Sequence, residues 1–129
     1  METFIIFLWG TLGGLCRYSI TNLMNYHHFP LATLLINLSG ALFLPIWTDY
    51  LCKKLHFSQK VNREFGTGFI GSFTTFSGMI LDAFKLIQLH EYNYLMIYLG
   101  ITVIGGVILA ILGDAFANYL GTKEEFHDL

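Results

Sequence analysis

The sequence predicts an all-α membrane protein with four transmembrane helices, because it is rich in apolar residues and poor in charge. Its 129 residues are 54% hydrophobic and 12% charged, and the mean hydropathy is +0.57. Soluble domains carry about 25% charged residues. The apolar residues form four runs, at 4–24, 31–51, 65–89 and 92–113. Each run reaches the length of about 20 residues that a helix needs to span a bilayer. We therefore expect a single transmembrane domain over residues 1–129.

Charge and composition also exclude several classes of function. The formal net charge is −2, and no basic run with interleaved aromatic residues occurs, so nucleic-acid binding has no support. No nucleophile–base pair and no cluster of metal ligands lies within the four runs, so we expect no enzyme. The N-terminus lacks a positively charged region before Phe4, which favours a retained membrane segment over a cleaved signal peptide.

The first predicted span, residues 4–24, is interrupted only by Arg17. Gly10 and Gly14 are four residues apart, a spacing that favours the close approach of another helix backbone. Two roles for Arg17 follow from its place near the end of the span. Its side chain either extends to water and anchors the helix, or lies at the mouth of an anion pathway and raises the local anion concentration. A short turn is expected at residues 25–30.

The second predicted span, residues 31–51, is uncharged until Asp49. Asn37 falls near the middle of the bilayer, where an amide is costly unless it has a hydrogen-bond partner. It is therefore either a link between helices or a ligand in a pathway, and the residues alone leave both open. Pro45 is expected to kink the helix in its second half.

The third predicted span, residues 65–89, contains the stretch around which the chain is organised. Residues 66–77 hold three glycines, two serines and three threonines, a composition that predicts a broken helix. In hydrocarbon such a break is tolerated only where its freed polar groups are buried in protein or line a cavity. Freed carbonyls suit a small cation such as sodium, and half-helix N-termini suit an anion. Close packing against another helix is the alternative.

Polar residues flank this third span at both of its ends. The connector before it is the most basic part of the chain, and Ser58 is placed there as a helix cap. Asp82 and Lys85, near the far end, are three residues apart on a helix and are expected to form an exposed ion pair.

The fourth predicted span, residues 92–113, carries a possible stripe of hydroxyl groups. Tyr98 and Thr102 are four residues apart and share a helix face, which predicts either a polar track or a packing contact. Four short spans cannot enclose much of a pore, so we expect association with a second copy or with a relative. The glycine-rich faces of the spans supply surfaces for it.

Three stretches carry a resemblance that extends over nearly the whole chain. They are GTLGGLCRY at residues 10–18, ATLLINLSG at residues 32–40 and GFIGSFTTFS at residues 68–77. The last is the most specific, because it combines glycines with a phenylalanine–threonine–threonine pattern inside a membrane span. With these motifs the chain resembles the Fluc or CrcB family of small dual-topology fluoride channels.

The resemblance implies an antiparallel dimer in the cell membrane that exports cytoplasmic fluoride by passive permeation. It implies two parallel anion pathways and a structural sodium ion at the centre of the interface, held by the backbone carbonyls of Gly71 and Thr74. Arg17 would lie near the vestibule. Phenylalanine ring edges carry partial positive charge and can face an anion without trapping it. The residues that match the fluoride pathway are Asn37, Thr75, Phe76, Ser77, Met79, Tyr98 and Thr102.

The chain departs from the family pattern at four positions. The second pathway phenylalanine is Met79, preceded by Gly78, while Pro45 replaces a glycine and Gly106 replaces a serine. In the family each pathway draws its two phenylalanines from different subunits. A homodimer of this chain would therefore lack one ring in both pathways, whereas pairing with a complete relative would leave one pathway whole.

Two alternative functions follow from these departures and from the four-helix architecture. The first is a partly degenerate or non-conducting partner subunit of a heterodimeric fluoride channel. The second is a small proton-coupled cation or drug exporter. That exporter would need a carboxylate inside the first span, and the only acid near it is Glu2 at the terminus.

The distribution of basic residues predicts one orientation. With four spans, both termini and the central connector share one side of the membrane. Cationic loops stay cytoplasmic, so we expect both termini inside the cell. Arg17 and Lys85 lie toward the other side. The basic residues on the side of the termini are Lys53, Lys54, Lys60, Arg63 and Lys123.

Overall fold

A computed structural model describes residues 1–24 and 29–127, and within those ranges the chain contains helices, turns and no strand. Four segments are long and apolar enough to cross a membrane: Glu2–Leu23, Leu31–Lys54, Gln59–Gln88 and Tyr92–Glu124. The predicted all-α class with four spans is therefore confirmed. Most of the turn predicted at residues 25–30 lies outside the described residues.

We number the helices in chain order, counting the two halves of the third span separately. Helix α1 is Glu2–Leu23 and α2 is Leu31–Lys54. Helix α3 covers residues 59–73, α4 is Phe76–Gln88, and α5 covers residues 92–127.

Helix α2 passes through Pro45 without ending. Its first part, Leu31–Pro45, is α-helical, and the π-helical segment Ile46–Leu51 follows directly. Proline has no N–H to donate to the preceding turn, so a change of hydrogen-bond pattern is expected at that point. Cys52–Lys54 completes the helix.

Helix α3 begins before the predicted third span, at Gln59. As predicted, Ser58 caps it, because its side-chain oxygen accepts a hydrogen bond from Val61 N at 3.3 Å. The helix then widens into the π-helical segment Gly66–Ile70 and ends with Gly71–Phe73. π-helical turns are often found at functional sites.

The predicted break in the third span is confirmed, and it falls at two residues. Thr74 has φ −75° and ψ 158°, and Thr75 has φ −149° and ψ 116°, so both are extended. Helix α4 starts immediately afterwards at Phe76. The span is thus two helices joined by a two-residue extended link.

Glycines allow α1 to lie directly against α3. A methyl group at Gly13 would overlap the carbonyl oxygen of Phe69, and one at Gly68 would lie 2.7 Å from the carbonyl oxygen of Ile6. Gly10 also faces α3. Gly14, which we predicted as the second member of this close face, has no atom of another helix within 4 Å of a built Cβ. Within the subunit the close contact therefore uses Gly13 and not Gly14, and Gly14 stays a prediction for contact with a second subunit.

The core lies where α2, α4 and α5 meet. Its buried members are Leu34, Met79, Leu86 and Tyr98, and the Tyr98 side chain is fully buried. Apolar side chains elsewhere point outward, including Val103, Ile104 and Ile111, each at least 60% exposed. A helix with apolar residues on its outer face is typical of a membrane span, where lipid covers that surface.

Ion pairs join both termini to the basic connector at one end of the molecule. Glu2 lies 3.4 Å from Lys60 and 3.4 Å from Arg63, and Lys54 pairs with Glu124 of α5. The N-terminal turn of α1, the end of α2, the start of α3 and the end of α5 are therefore neighbours, as an even number of spans requires.

Candidate functional site

The link between α3 and α4 is held by the side chain of Asn37 from α2. Asn37 Oδ1 accepts a hydrogen bond from Thr75 N at 2.8 Å, and Asn37 Nδ2 donates to Thr75 O at 3.0 Å. An amide side chain presents one donor group and one acceptor side by side, so it can pair with an extended residue as a neighbouring strand would. The predicted break therefore has a specific partner on another helix.

This arrangement provides partners for two amides at the break, those of Thr75 and Gly78, and leaves several carbonyls around the break without helical partners, including those of Gly71 and Thr74. In an unbroken helix the Gly71 carbonyl would accept from Thr75 N, which bonds to Asn37 instead. The Thr74 carbonyl would accept from Gly78 N, which bonds to the Thr75 hydroxyl at 2.9 Å. Gly71 lies on the exposed surface of the subunit, and Thr74 is half-buried. Freed carbonyl oxygens of this kind suit a small hard cation, so both residues fit the predicted sodium site.

The Thr74 carbonyl already has a cationic neighbour. Arg17 Nη1 donates to Thr74 O at 3.3 Å, across the contact between α1 and the break. The guanidinium group is thus directed toward the break and does not extend toward the end of α1. This contact favours a place for Arg17 beside the break over interfacial anchoring, because a freed carbonyl offers the side chain a partner within the bundle.

A cavity of about 350 Å³ lies between α2, the break and α5. Among the described residues no charged side chain lines it, and the four polar side chains that do are an amide and three hydroxyls. Gly40 allows α2 to lie close to the break, because a methyl group there would overlap Thr74 Cγ2. The lining residues that are also predicted members of the pathway or the sodium site are Asn37, Thr74, Thr75, Phe76, Met79 and Thr102.

Two of the three hydroxyls in the cavity already donate their protons to their own helices. Thr74 Oγ1 donates to Ile70 O at 2.9 Å, and Thr102 Oγ1 donates to Tyr98 O at 2.7 Å. Their oxygen lone pairs, and not their protons, are left for other partners. These two hydroxyls therefore offer little to an anion.

Asn37 and Thr75 keep donors that an anion can use. The Asn37 amide nitrogen carries two protons, and the bond to Thr75 O uses one of them. The Thr75 hydroxyl accepts from Gly78 N, and its own proton is available to an anion when Ser77 Oγ, 3.4 Å away, donates in the contact between the two hydroxyls. The cavity thus presents two neutral donors close to the helix break.

The predicted pathway residues on α4 lie in two different environments, the exposed surface and the core. Phe76 is 75% exposed, and its ring projects from the subunit although the residue also borders the cavity. Ser77 is exposed as well. Met79 is 8% exposed and packs in the core with Leu34 and Tyr98.

Tyr98 does not reach the cavity. Its ring packs edge-on against Phe29, with centroids 5.9 Å apart, and its hydroxyl is buried with no hydrogen-bond partner among the described residues. Tyr98 and Thr102 do share a helix face, but only Thr102 borders the cavity. A continuous hydroxyl stripe from one to the other is therefore absent within this subunit.

A second polar pair lies outside the cavity and was missed by the sequence analysis. Thr33 Oγ1 donates to Asp82 Oδ2 at 2.6 Å, and Lys85 Nζ lies 3.8 Å from the same carboxylate. The expected pair with Lys85 is present, but the Asp82 side chain is only 19% exposed. The available signal was the spacing of Thr33 and Asn37, which are four residues apart and share a face of α2.

Comparisons with known proteins cover nearly the whole chain. The family model described as CrcB-like protein, Camphor Resistance (CrcB), matches residues 4–114. The fluoride-specific ion channel FluC 1 of Latilactobacillus sakei is 40% identical over 88% of this chain and 84% of its own length. FluC 2 of Listeria innocua is 36% identical over 93% of both chains. FluC 1 of Bacillus thuringiensis is 39% identical over 92% of this chain and 89% of its own. The chain belongs to the CrcB family.

Proposed function

We propose that this chain is a subunit of a fluoride-selective ion channel that lets cytoplasmic fluoride leave the cell by passive permeation. The observation that carries the proposal is the uncharged cavity at the helix break, where Asn37 and Thr75 keep free donors. The names of the related proteins agree with this function, since each is called a fluoride-specific ion channel. The proposed activity is transport and requires no catalytic group.

Neutral donors suit conduction of a strongly hydrated anion. A pore must bind the ion well enough to replace part of its water shell, yet weakly enough to release it. An amide proton and a hydroxyl proton can replace water molecules without the deep attraction of a buried guanidinium group. The Phe76 ring adds a partly positive edge beside them. Fluoride would cross down its own electrochemical gradient.

The subunit is proposed to work as an antiparallel dimer. Phe76, Ser77 and Gly71 are all exposed at or beside the break in the single subunit. Polar backbone in contact with lipid is costly, so this surface calls for a protein partner. An inverted second subunit would cover it and bring a second set of pathway residues.

The proposed sodium ion would stabilise the centre of that dimer. The carbonyls of Gly71 and Thr74 would hold it, since the break has released both from helical hydrogen bonds. When bound, the ion would supply positive charge that offsets the negative ends of these carbonyl dipoles. Arg17 lies against the same Thr74 oxygen and would contribute its charge to the region.

A specific observation favours a second candidate, in which this chain pairs with a related subunit. Met79 replaces the second pathway phenylalanine, and its side chain packs into the core of its own subunit with Leu34 and Leu86. A homodimer would then have one ring fewer in each pathway. A relative with the complete pair would restore one pathway.

Fluoride efflux from liposomes tests both candidates. The purified chain is reconstituted alone, and then together with a CrcB relative that has both phenylalanines. Efflux from the chain alone supports the homodimer, and efflux only from the mixture supports the heterodimer. Absence of fluoride efflux in both preparations would overturn the proposed function. Drug uptake driven by a proton gradient, measured in the same liposomes, would indicate the exporter instead.

A further inference from the structure

A second cavity lies at the connector end of the molecule. Its volume is about 570 Å³, and it separates the second half of α2 from α3. Two hydroxyls, two amides and two cations form most of its wall, which makes it a polar and hydratable space. These side chains are Thr48, Gln59, Lys60, Asn62, Arg63 and Thr67. One acceptor atom, Asn62 Oδ1, is buried with no partner among the described residues.

Leu44 is the one residue of the described chain that lines both this cavity and the central one. Asn37, Ala41, Leu44 and Thr48 recur at intervals of three or four residues along α2, so they form one continuous face. Polar side chains thus lie at both ends of that face, and Leu44 interrupts them. Leu44 is 39% exposed.

The opposite wall at this level is Gly66, the first residue of the π-helical turn in α3. A Cβ built at Gly66 would lie 3.7 Å from Leu44 Cδ1, which is ordinary van der Waals contact. Gly66 has helical backbone angles, φ −58° and ψ −47°, so alanine fits there without strain. At this level an isobutyl group on α2 therefore faces bare backbone on α3.

The outer cavity is polar but not strongly basic. Lys60 and Arg63 each lie 3.4 Å from Glu2, and Lys60 is also 4.0 Å from the buried carboxylate of Glu64. Two cations and two carboxylates therefore offset each other. This cavity therefore offers a passing ion water molecules and polar side chains, and it does not offer a strong net electrostatic field.

We propose that the two cavities are one anion path and that Leu44, facing Gly66, forms an apolar constriction between its connector-end mouth and the central cavity. The inference rests on the proposed fluoride channel function and adds a residue that sets the conduction rate. Narrow apolar segments exclude water, and an ion must lose hydration to pass them. The size of the side chains at this level should therefore set the flux.

Substitutions on both walls test the constriction. Gly66→Ala should lower fluoride flux several-fold while the protein folds and assembles normally, and Leu44→Ala should raise it several-fold. Gly100→Ala and Leu35→Ala are matched controls. Gly100 has no neighbour within 4 Å of a built Cβ, and Leu35 is 43% exposed on α2 and lines neither cavity. Unchanged flux in both wall variants, with normal assembly, would overturn the proposal.

A chemical measurement separates this inference from the channel function itself. Cysteine is introduced at Ala41, on the inner side of Leu44, and its rate of reaction with a small anionic methanethiosulfonate is measured in liposomes. Wild-type protein, with Cys16 and Cys52, gives the background. The rate should rise when Leu44→Ala is added and fall when Gly66→Ala is added. If the reaction rate of this cysteine is the same in both variants as without them, the proposed constriction is overturned, even if fluoride flux is normal. Rates that respond in a protein without flux would support the path and refute the fluoride function.

Discussion

Asn37 and Thr75 form two hydrogen bonds in opposite directions, so one amide side chain completes the backbone pairing of the broken span. The sequence left two roles open for Asn37, a link between helices or a ligand in a pathway. The structure shows the link directly. The same amide retains one proton beside the cavity, so the link also fixes the position of the donor proposed to meet the anion.

Replacing Asn37 by aspartate should abolish fluoride flux and lower the melting temperature. The carboxylate can still accept from Thr75 N, but it cannot donate to Thr75 O, and a buried carbonyl without its donor costs about 1–3 kcal/mol. Its negative charge would also repel the anion, strongly so where water is excluded. Asn118→Asp, on an exposed face of α5, is the control. Normal flux in the Asn37 variant would confine this residue to a packing role.

Phe76→Ile should reduce fluoride flux by an order of magnitude or more without unfolding the subunit. The side chain is 75% exposed, so little packing within the subunit depends on it. The isoleucine side chain keeps much of the volume but lacks the partly positive ring edge. Flux is compared with that of Phe84→Ile, a residue that is 53% exposed on the same helix. Equal fluoride flux in the two variants would show that Phe76 is not part of the pathway.

Thr75→Val should destabilise the protein by about 1 kcal/mol, whereas Thr75→Ser should not. The Thr75 hydroxyl caps α4 by accepting from Gly78 N at 2.9 Å, and serine keeps that oxygen. Thermal unfolding in detergent measures the difference. Valine also removes the free hydroxyl proton, so flux should fall in the valine variant and persist in the serine variant. Equal stability of the two variants would show that the cap has no effect.

Sodium removal should weaken dimer assembly, and Arg17→Met should lower the sodium concentration that assembly requires. The guanidinium group of Arg17 donates to the carbonyl of Thr74 that is proposed to hold the ion, and like charges repel. Dimer fraction is measured by single-molecule photobleaching in sodium, lithium and potassium buffers. Arg63→Met, a surface cation at the connector end, is the control. Assembly that is identical in all three salts would contradict the sodium site.

Labelling of Lys123→Cys in intact cells that express this chain alone should reveal one orientation, with the C-terminal helix inside. Five of the seven Lys and Arg residues belong to the end that carries both termini, and cationic loops stay cytoplasmic. The contacts of Lys54 with Glu124 and of Lys60 with Glu2 place the two termini and the connector at that same end. Labelling from both sides, together with a conducting homodimer, would exclude an obligate related partner.

The features that the sequence predicted are those that depend on composition along the chain. Four apolar runs of sufficient length have no alternative to spanning helices, and clustered small and hydroxyl residues predict a break in one of them. The Ser58 cap was also predictable, because its effect reaches only three residues along the chain.

The features that were missed depend on which way neighbouring helices face. The break could fall anywhere within residues 66–77 until Asn37, on another helix, provided a partner for Thr75. The close contact of α1 uses Gly13 and not Gly14, because α3 approaches from that side. The burial of Tyr98 and the bond from Thr33 to Asp82 likewise follow from the packing of α2, α4 and α5. Helical spacing alone contains no information about such rotations.

The released carbonyls of Gly71 and Thr74 should affect how long an unassembled copy of the protein persists in a cell. In a solitary copy the surface around Gly71 would meet lipid, where each unsatisfied backbone group costs several kcal/mol. Such a copy is a natural substrate for the proteases that clear unassembled membrane proteins. If the proposed partner is a related subunit, the steady-state amount of this chain should follow the supply of that subunit more closely than the rate of its own synthesis.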